Sequence, residues 1–280
     1  MPRKVVATPK SKGNSGTSEE SERKGSIWSG RISIGLVNIP VKLRTMIYDR
    51  DISFRFLHKK DGQPLRYDRV CVMEDKVVPW GEVVKGYEVR KNEFIVIENE
   101  ELRAARPESD QRIRLDKFVN YLSIDPVYFE RSYILVPDKS DDAYSLLLNA
   151  LQGMGKAGVG RITLRTKEYP VLVFAYRGAL ILTTLRYGEE VADPRNVEEL
   201  KDLKEHANKA ELDIAKRIIS DLSGDFDIDE YKDQYREKIE QLIKKKMKGE
   251  TITFEKPVKE EAAKELMVAL QETLKQLKEK

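Results

Sequence analysis

The sequence predicts a mixed α+β protein, with short strands filling its first two-thirds and amphipathic helices its last third. Two observations carry this. Apolar residues recur at period two in several short stretches between positions 27 and 187. Between 209 and 249 they recur at spacings of three and four, as on one face of a helix. Hydrophobic residues make up 40% of the 280-residue chain and charged residues 35%, so the core is expected to sit under a heavily charged surface.

Residues 1–25 are rich in Lys, Ser, Gly and Glu, with almost nothing apolar after Ala7, and read as a disordered basic tail. Order is expected from "SIWSGRISIGLVNIPVKLRTMI", where Ile32, Ile34 and Leu36, then Val41 and Leu43, alternate as in strands. A break is expected around Asn38 and Pro40. In "DISFRFLHKKDGQPLRYDRVCV" the residues Ile52, Phe54 and Phe56 alternate with polar neighbours. Asp61-Gly62 is a turn signal, so this stretch reads as a hairpin. "EFIVIENEEL" gives a strand followed by a short helix, and "RSYILVPD" a further strand.

"DDAYSLLLNALQGMG" is helical, because Tyr144, Leu147, Leu148 and Leu151 share a face. Ser140 or Asp141 can cap its start, and Gly153 can take the left-handed position past its end. "GVGRITLRT", "PVLVFAY" and "ALILTTLRY" read as three strands, the last two joined at Arg177-Gly178. Two helices follow. Leu212, Ala215, Ile219 and Leu222 line the first, which Gly224 ends. Tyr231, Tyr235, Ile239, Leu242 and Ile243 line the second, with Asp229 as cap and Gly249 as stop.

Several function classes find no support. No run approaches the apolar length of a membrane span, and "MPRKVVATPK" lacks the apolar centre of a signal peptide. Cys71 is the single cysteine, which excludes an internal disulfide and points to a reducing, cytoplasmic setting. His58, His206 and Cys71 form no spaced pair of metal ligands, and "DFDIDE" at 225–230 lacks the Asp-Gly arrangement of a calcium loop. No nucleophile elbow is present. Neither a catalytic constellation nor a cofactor is expected, which favours a binding protein over an enzyme.

One motif competes with that reading. Gly153, Gly155 and Gly158 form Gly-x-Gly-x-x-Gly, with Lys156 inside. A phosphate-cradling loop needs a strand before the glycines and a helix after them, so that helix N–H groups meet the anion. Here the predicted order is reversed, and the residue after Lys156 is Ala157 where a Walker motif has Ser or Thr. A helix stop and tight turn is the structural reading, and a nucleotide-binding enzyme using residues 153–160 is the alternative.

Charge is distributed unevenly. The chain carries net +3, made of +3 over residues 1–30, +5 over 31–69 and −5 over 70–280. A basic excess near one end suggests a polyanion partner. The hairpin could project some 25–30 Å, at about 3.3 Å per residue. Arg55, Lys59, Lys60, Arg66 and Arg69 lie along it and would neutralise phosphates without reading bases. A basic protein that coats DNA without end specificity is a second alternative.

"IWSGRISIGLVNIPVKL", "DISFRFLHKKDG", "RYDRVC", "VPWGEVVKGYE", "PES", "IDPVYFERSYILVPDK", "TTLRY" and "SDLSGDFDIDEYKDQYRE" occur in this order. In series they closely resemble the prokaryotic Ku proteins, from about Ile27 to Gly249 and again in the last helix. The resemblance implies a Ku-type seven-stranded β-barrel with a long β-arm arch and C-terminal helices, assembling as a ring-shaped homodimer. It implies a core over residues 26–250, an arch at about 50–85 and dimerisation helices at about 208–249. Lys59, Lys60, Arg66 and Arg69 then fall on the arch, with Lys42 just before it. The implied activity is sequence-independent binding of double-stranded DNA ends in non-homologous end joining, protecting the ends and recruiting an ATP-dependent DNA ligase, with no ATP or metal of its own.

Residues 251–280 read as a linker, "TITFEKPVK", and an amphipathic helix. Ala263, Leu266, Met267, Leu270, Leu274 and Leu277 lie there at helical spacing. Such a helix docks on its own domain or in a partner's groove. The resemblance implies that Leu266, Met267, Leu270, Leu274 and Leu277 engage the ligase.

Overall fold

The structure is a computed structural model that describes residues 25–105, 111–201, 203, 208–250 and 266–278. The expected tail up to residue 24, the motif at 107–109, His206, the linker at 251–259 and Ala263 lie outside the described residues. The chain divides into two compact units, one reaching Ala192 and one starting at Asp193.

In the first unit the chain forms β1 (Trp28–Ile34), β2 (Val37–Thr45), β3 (Lys85–Arg90), β4 (Glu93–Ile97) and helix α1 (Asn99–Ala104). It continues through β5 (Arg112–Asn120), β6 (Phe129–Pro137), helix α2 (Asp141–Met154), β7 (Lys156–Leu164), β8 (Lys167–Tyr176) and β9 (Ala179–Leu185). Seven of these strands close a barrel in the order β1-β2-β6-β9-β8-β7-β5, and β3 and β4 form a separate two-stranded sheet. All neighbouring barrel pairs are antiparallel except β1 and β5, whose parallel pairing of Arg31 with Arg112 closes the ring. The expected seven-stranded barrel in an α+β protein is the observed one.

Alternation explains the barrel. Ile32, Val41, Leu43, Ile113, Leu135, Ile162, Val171, Val173, Leu180 and Leu182 are each at most 1% exposed and fill its interior. Helix α2 lies across β7 and β8 and adds Tyr144, Leu147 and Leu151 to the same core. The Tyr144 hydroxyl donates to the Leu135 carbonyl at 2.7 Å and accepts from the Leu180 amide at 2.8 Å. It thereby clamps β6 to β9 where their ladder begins.

Several boundaries differ from expectation. The first hairpin turns at Gly35-Leu36, and Asn38 and Pro40 lie inside β2, Pro40 opposite Arg31. Leu36 is consequently fully exposed. Ser140 stands at the start of α2, but its hydroxyl donates to the Pro40 carbonyl and caps nothing. Gly155, with φ +59°, and not Gly153, takes the left-handed position at the end of α2. It can do so because a glycine has no Cβ to clash there.

The second unit holds one helical turn, Glu198–Lys201, then α3 (Lys209–Asp221), α4 (Gln234–Met247) and α5 (Leu266–Lys278). Asn208 caps α3, and Leu222, not Gly224, follows its last turn. Asp233 caps α4 through the Arg236 amide, while Asp229 sits in the 3-10 turn Ile228–Glu230. Gly249, with φ +77°, ends α4 as expected.

Candidate nucleic-acid interface

Between β2 and β3 the chain leaves the barrel as an arm. Its sequence turns back twice. Leu57 bridges Pro64 around Asp61-Gly62, and Val70 bridges Val77 around Asp75. The first turn is the predicted one: the Asp61 carboxylate accepts the Gln63 amide at 3.0 Å, and the Gly62 amide donates to the His58 carbonyl. The long ladder expected there is absent, since the arm between residues 46 and 84 holds isolated bridges and no strand. Two causes are visible. Pro64 has no N–H to give to a ladder. Both faces of the arm also lie open, with Phe54, Phe56 and Tyr67 all more than 60% exposed, so no core enforces pairing.

The predicted cations divide into three kinds. Lys59 and Lys60 occupy the exposed first turn and Arg55 the approach to it, and none of the three has an ion pair with a described residue. Arg66 and Arg69 are held. The Arg66 Nε lies 3.6 Å from Asp68, and the Arg69 guanidinium stacks 4.3 Å over the Trp80 ring. Stacking leaves the planar edge of Arg69 free to meet a phosphate while fixing its direction. Lys42 stands apart. It lies on β2, with its Nζ 2.7 Å from Asp138, so its charge is already compensated on the barrel wall. The structure therefore brings five of the six predicted residues onto one arm and leaves the sixth off it.

The arm's turns are polarised by backbone amides. The Gln63 amide, and after it His58 at 3.0 Å, hold the Asp61 carboxyl below its usual range. The amides of Glu74 and then Met73 lower the Cys71 thiol. The Asp61 contacts tie together the first turn, which carries Lys59 and Lys60. Among the described residues no group of three His, Cys, Asp or Glu side chains could hold a metal ion.

Sequence reading missed a second basic surface. Arg31 on β1, Arg112 and Arg114 on β5 and Arg161 on β7 lie on adjoining strands, with Arg31 opposite Arg112 and Arg114 opposite Arg161. Their neighbours Ile32, Ile113 and Ile162 point into the core, so the arginines take the outer face, where Arg112, Arg114 and Arg161 are exposed and Arg31 is half-buried with its Nε covered and without a hydrogen-bond partner among the described residues. The alternation in "RIRLDK" carried this signal. Asp116 lies 4.0 Å from Arg161 and tempers the patch.

The glycine motif resolves into packing. Gly155 ends a helix, and Gly158 lies in β7 opposite Phe118 and Val173. Gly160, next along that strand, is so close to β5 that a Cβ would lie 1.6 Å from the Arg114 carbonyl oxygen. The glycines follow a helix and enter a strand, the reverse of a phosphate-cradling loop.

A closed seven-stranded barrel filled with aliphatic side chains, with an exposed arm leaving it between β2 and β3 and a second, helical unit later in the chain, defines a class: a β-barrel protein whose candidate binding residues lie outside the barrel. Residues 33–214 match the family described as Ku70/Ku80 beta-barrel domain. Three relatives are each titled Non-homologous end joining protein Ku. That of Anaeromyxobacter sp. (strain K) is 39% identical over 243 residues, covering 86% of this chain and 81% of its own. That of Bacillus subtilis (strain 168) is 34% identical over 262 residues, covering 90% and 84%. That of Archaeoglobus fulgidus is 34% identical over 252 residues, covering 90% and 98%. The chain belongs to the Ku family.

Proposed function

We propose that this chain binds double-stranded DNA ends as a ring-shaped homodimer without reading sequence, protects them, and recruits an ATP-dependent DNA ligase for non-homologous end joining. The observation that carries this reading is the arm, an exposed projection whose first half, residues 50–69, carries six Lys and Arg against three Asp, within a chain whose relatives, at 34–39% identity, are named for end joining. Lys59 and Lys60 at its first turn are free to neutralise phosphates, and Arg69 is pre-oriented on Trp80. No base-reading helix is needed, because a ring selects ends topologically and phosphate contacts supply affinity. The reading requires neither catalysis nor a cofactor. It assigns the leucine stripe of α5 to the ligase.

Competition between linear and covalently closed circular duplexes of equal length tests the proposal. A ring loads only through an end, so linear DNA is expected to win by at least tenfold at physiological salt. Equal competition would replace the ring with a DNA-coating protein. Saturable binding of ATP or NAD, lost on Gly155→Val, would instead favour the nucleotide-binding reading.

A further inference from the structure

The ligase-facing stripe of α5 is already in use. Helix α5 packs along α3 within the C-terminal unit. Met267, Leu270, Leu274 and Leu277, at spacings of three, four and three, are half-buried, while Gln271, Glu272, Thr273, Lys275 and Gln276 face solvent. Leu266 is 55% exposed and lies outside this seam, unlike the other four leucine-stripe positions. On α3 the half-buried apolar residues are Ile214, Ala215 and Ile218. Of the face expected from the sequence only Ala215 is half-buried, while Leu212, Ile219 and Leu222 are 41%, 67% and 63% exposed. The two helices thus meet through aliphatic side chains at heptad-like spacing, the seam of a short two-helix coil.

We infer that α3 and α5 form a self-docked pair that masks the stripe, and that a partner reaches it only by displacing α3. This rests on the assignment of α5 to the ligase. It also specifies the partner's chemistry. A surface that replaces α3 must present aliphatic side chains at helical spacing, with a small residue in the place of Ala215. Masking lowers apparent affinity by the fraction of time the stripe is free, so a stripe free about 1% of the time binds about a hundredfold more weakly.

The test uses the full chain, its Ile218→Asp and Leu270→Asp variants, and the ATP-dependent end-joining ligase encoded by the same genome. Hydrogen exchange over 266–278 reads docking, and titration reads ligase affinity. Docking predicts protected amides in the wild type and loss of that protection in Ile218→Asp. Masking predicts that Ile218→Asp binds ligase at least tenfold more tightly, and that Leu270→Asp loses ligase binding. Free exchange over 266–278 in the wild type would overturn self-docking, whatever the ligase does. Lost protection with unchanged ligase affinity would overturn masking and leave the ligase assignment standing. Undiminished binding by Leu270→Asp, or no binding by wild type and Ile218→Asp alike, would sink the ligase assignment, and the masking with it. Should Ile218→Asp lose DNA-end binding or its oligomeric state, Ile218→Ala and Ile214→Ala replace it, with partial loss of protection and a two- to threefold gain in ligase affinity expected.

Discussion

At the scale of single residues, Tyr144 shows how one side chain joins three elements. It is 8% exposed, reaches from α2 into the barrel, and satisfies a carbonyl of β6 and an amide of β9 at once. Burial raises its phenol above the usual range, so it is a neutral donor at neutral pH. Tyr144→Phe keeps the ring and orphans both backbone groups. A loss of about 1–3 kcal/mol is expected, the cost of buried groups without partners. Urea unfolding should show a lower midpoint with an unchanged slope, while DNA-end binding at 25 °C stays at the wild-type level. An unchanged midpoint would mean that water takes over both bonds. Such pairings are invisible in a linear sequence. The period of "DDAYSLLLNALQGMG" places Tyr144 on the buried face, but its partners lie 9 and 36 residues away. Lys42 illustrates the same limit. Its proximity to the basic stretch made it a candidate, and only the pairing of β2 with β6 brings Asp138, 96 residues on, against it.

At the scale of elements, most barrel strands were legible, but β5 was not read, because its charged outer residues Arg112, Arg114, Asp116 and Lys117 leave Ile113 and Leu115 as its only buried apolar positions. β2 alternates because the barrel interior rewards one face, whereas β8 and β9 are buried on both faces over Val171–Val173 and Leu180–Thr184 and were legible as continuous apolar runs. The arm followed its pattern only at the turn. Asp61-Gly62 acts locally and held, whereas the alternation of Ile52, Phe54 and Phe56 had no core to point into, and no ladder formed. The outer arginines of β1, β5 and β7 were missed because strand neighbours that far apart in sequence cannot be paired by inspection. The arm's electrostatic role has a direct measure. Lys59→Ala, Lys60→Ala, Arg66→Ala and Arg69→Ala together are expected to weaken end binding and flatten the dependence of log affinity on log salt. The slope should fall by about 0.9 for each phosphate contact removed. Lys59 and Lys60, which form no ion pair with a described residue, should account for more of the change than Arg66, which Asp68 already attends. Lys42→Ala should leave the slope nearly unchanged, since its charge is neutralised by Asp138. A quadruple variant with wild-type affinity and slope would remove the arm from the interface and turn attention to the barrel arginines.

At the scale of the molecule, each of the two units exposes large apolar side chains in groups. On the first unit, Phe54, Phe56, Tyr67, Trp80, Tyr87, Phe94 and Ile95 are all at least 58% exposed. The two-stranded sheet of β3 and β4 carries Tyr87 opposite Ile95 on one face and Phe94 opposite Glu88 on the other. On the second unit, Phe226, Ile228, Tyr231 and Tyr235 are at least 65% exposed along a segment rich in carboxylates. Patches of this extent mark interaction surfaces, and a second copy of the chain is the simplest occupant, since a two-fold axis buries the same patch twice. The expected species is a dimer of twice the 32.3 kDa chain mass at every concentration that sedimentation can follow. Because folding and association are then linked, the melting temperature should rise with protein concentration. The contrast with DNA binding is the sharper check. An apolar interface is strengthened or left unchanged by moderate salt, whereas phosphate contacts weaken with it. Raising salt from 50 to 500 mM should therefore release DNA from a dimer that stays intact. Tyr87→Glu with Phe94→Glu should do the opposite at low salt, shifting the protein toward monomer and costing end binding through the lost second copy. A monomer at tens of micromolar in the unsubstituted protein would leave these faces to a different partner and exclude a two-chain ring.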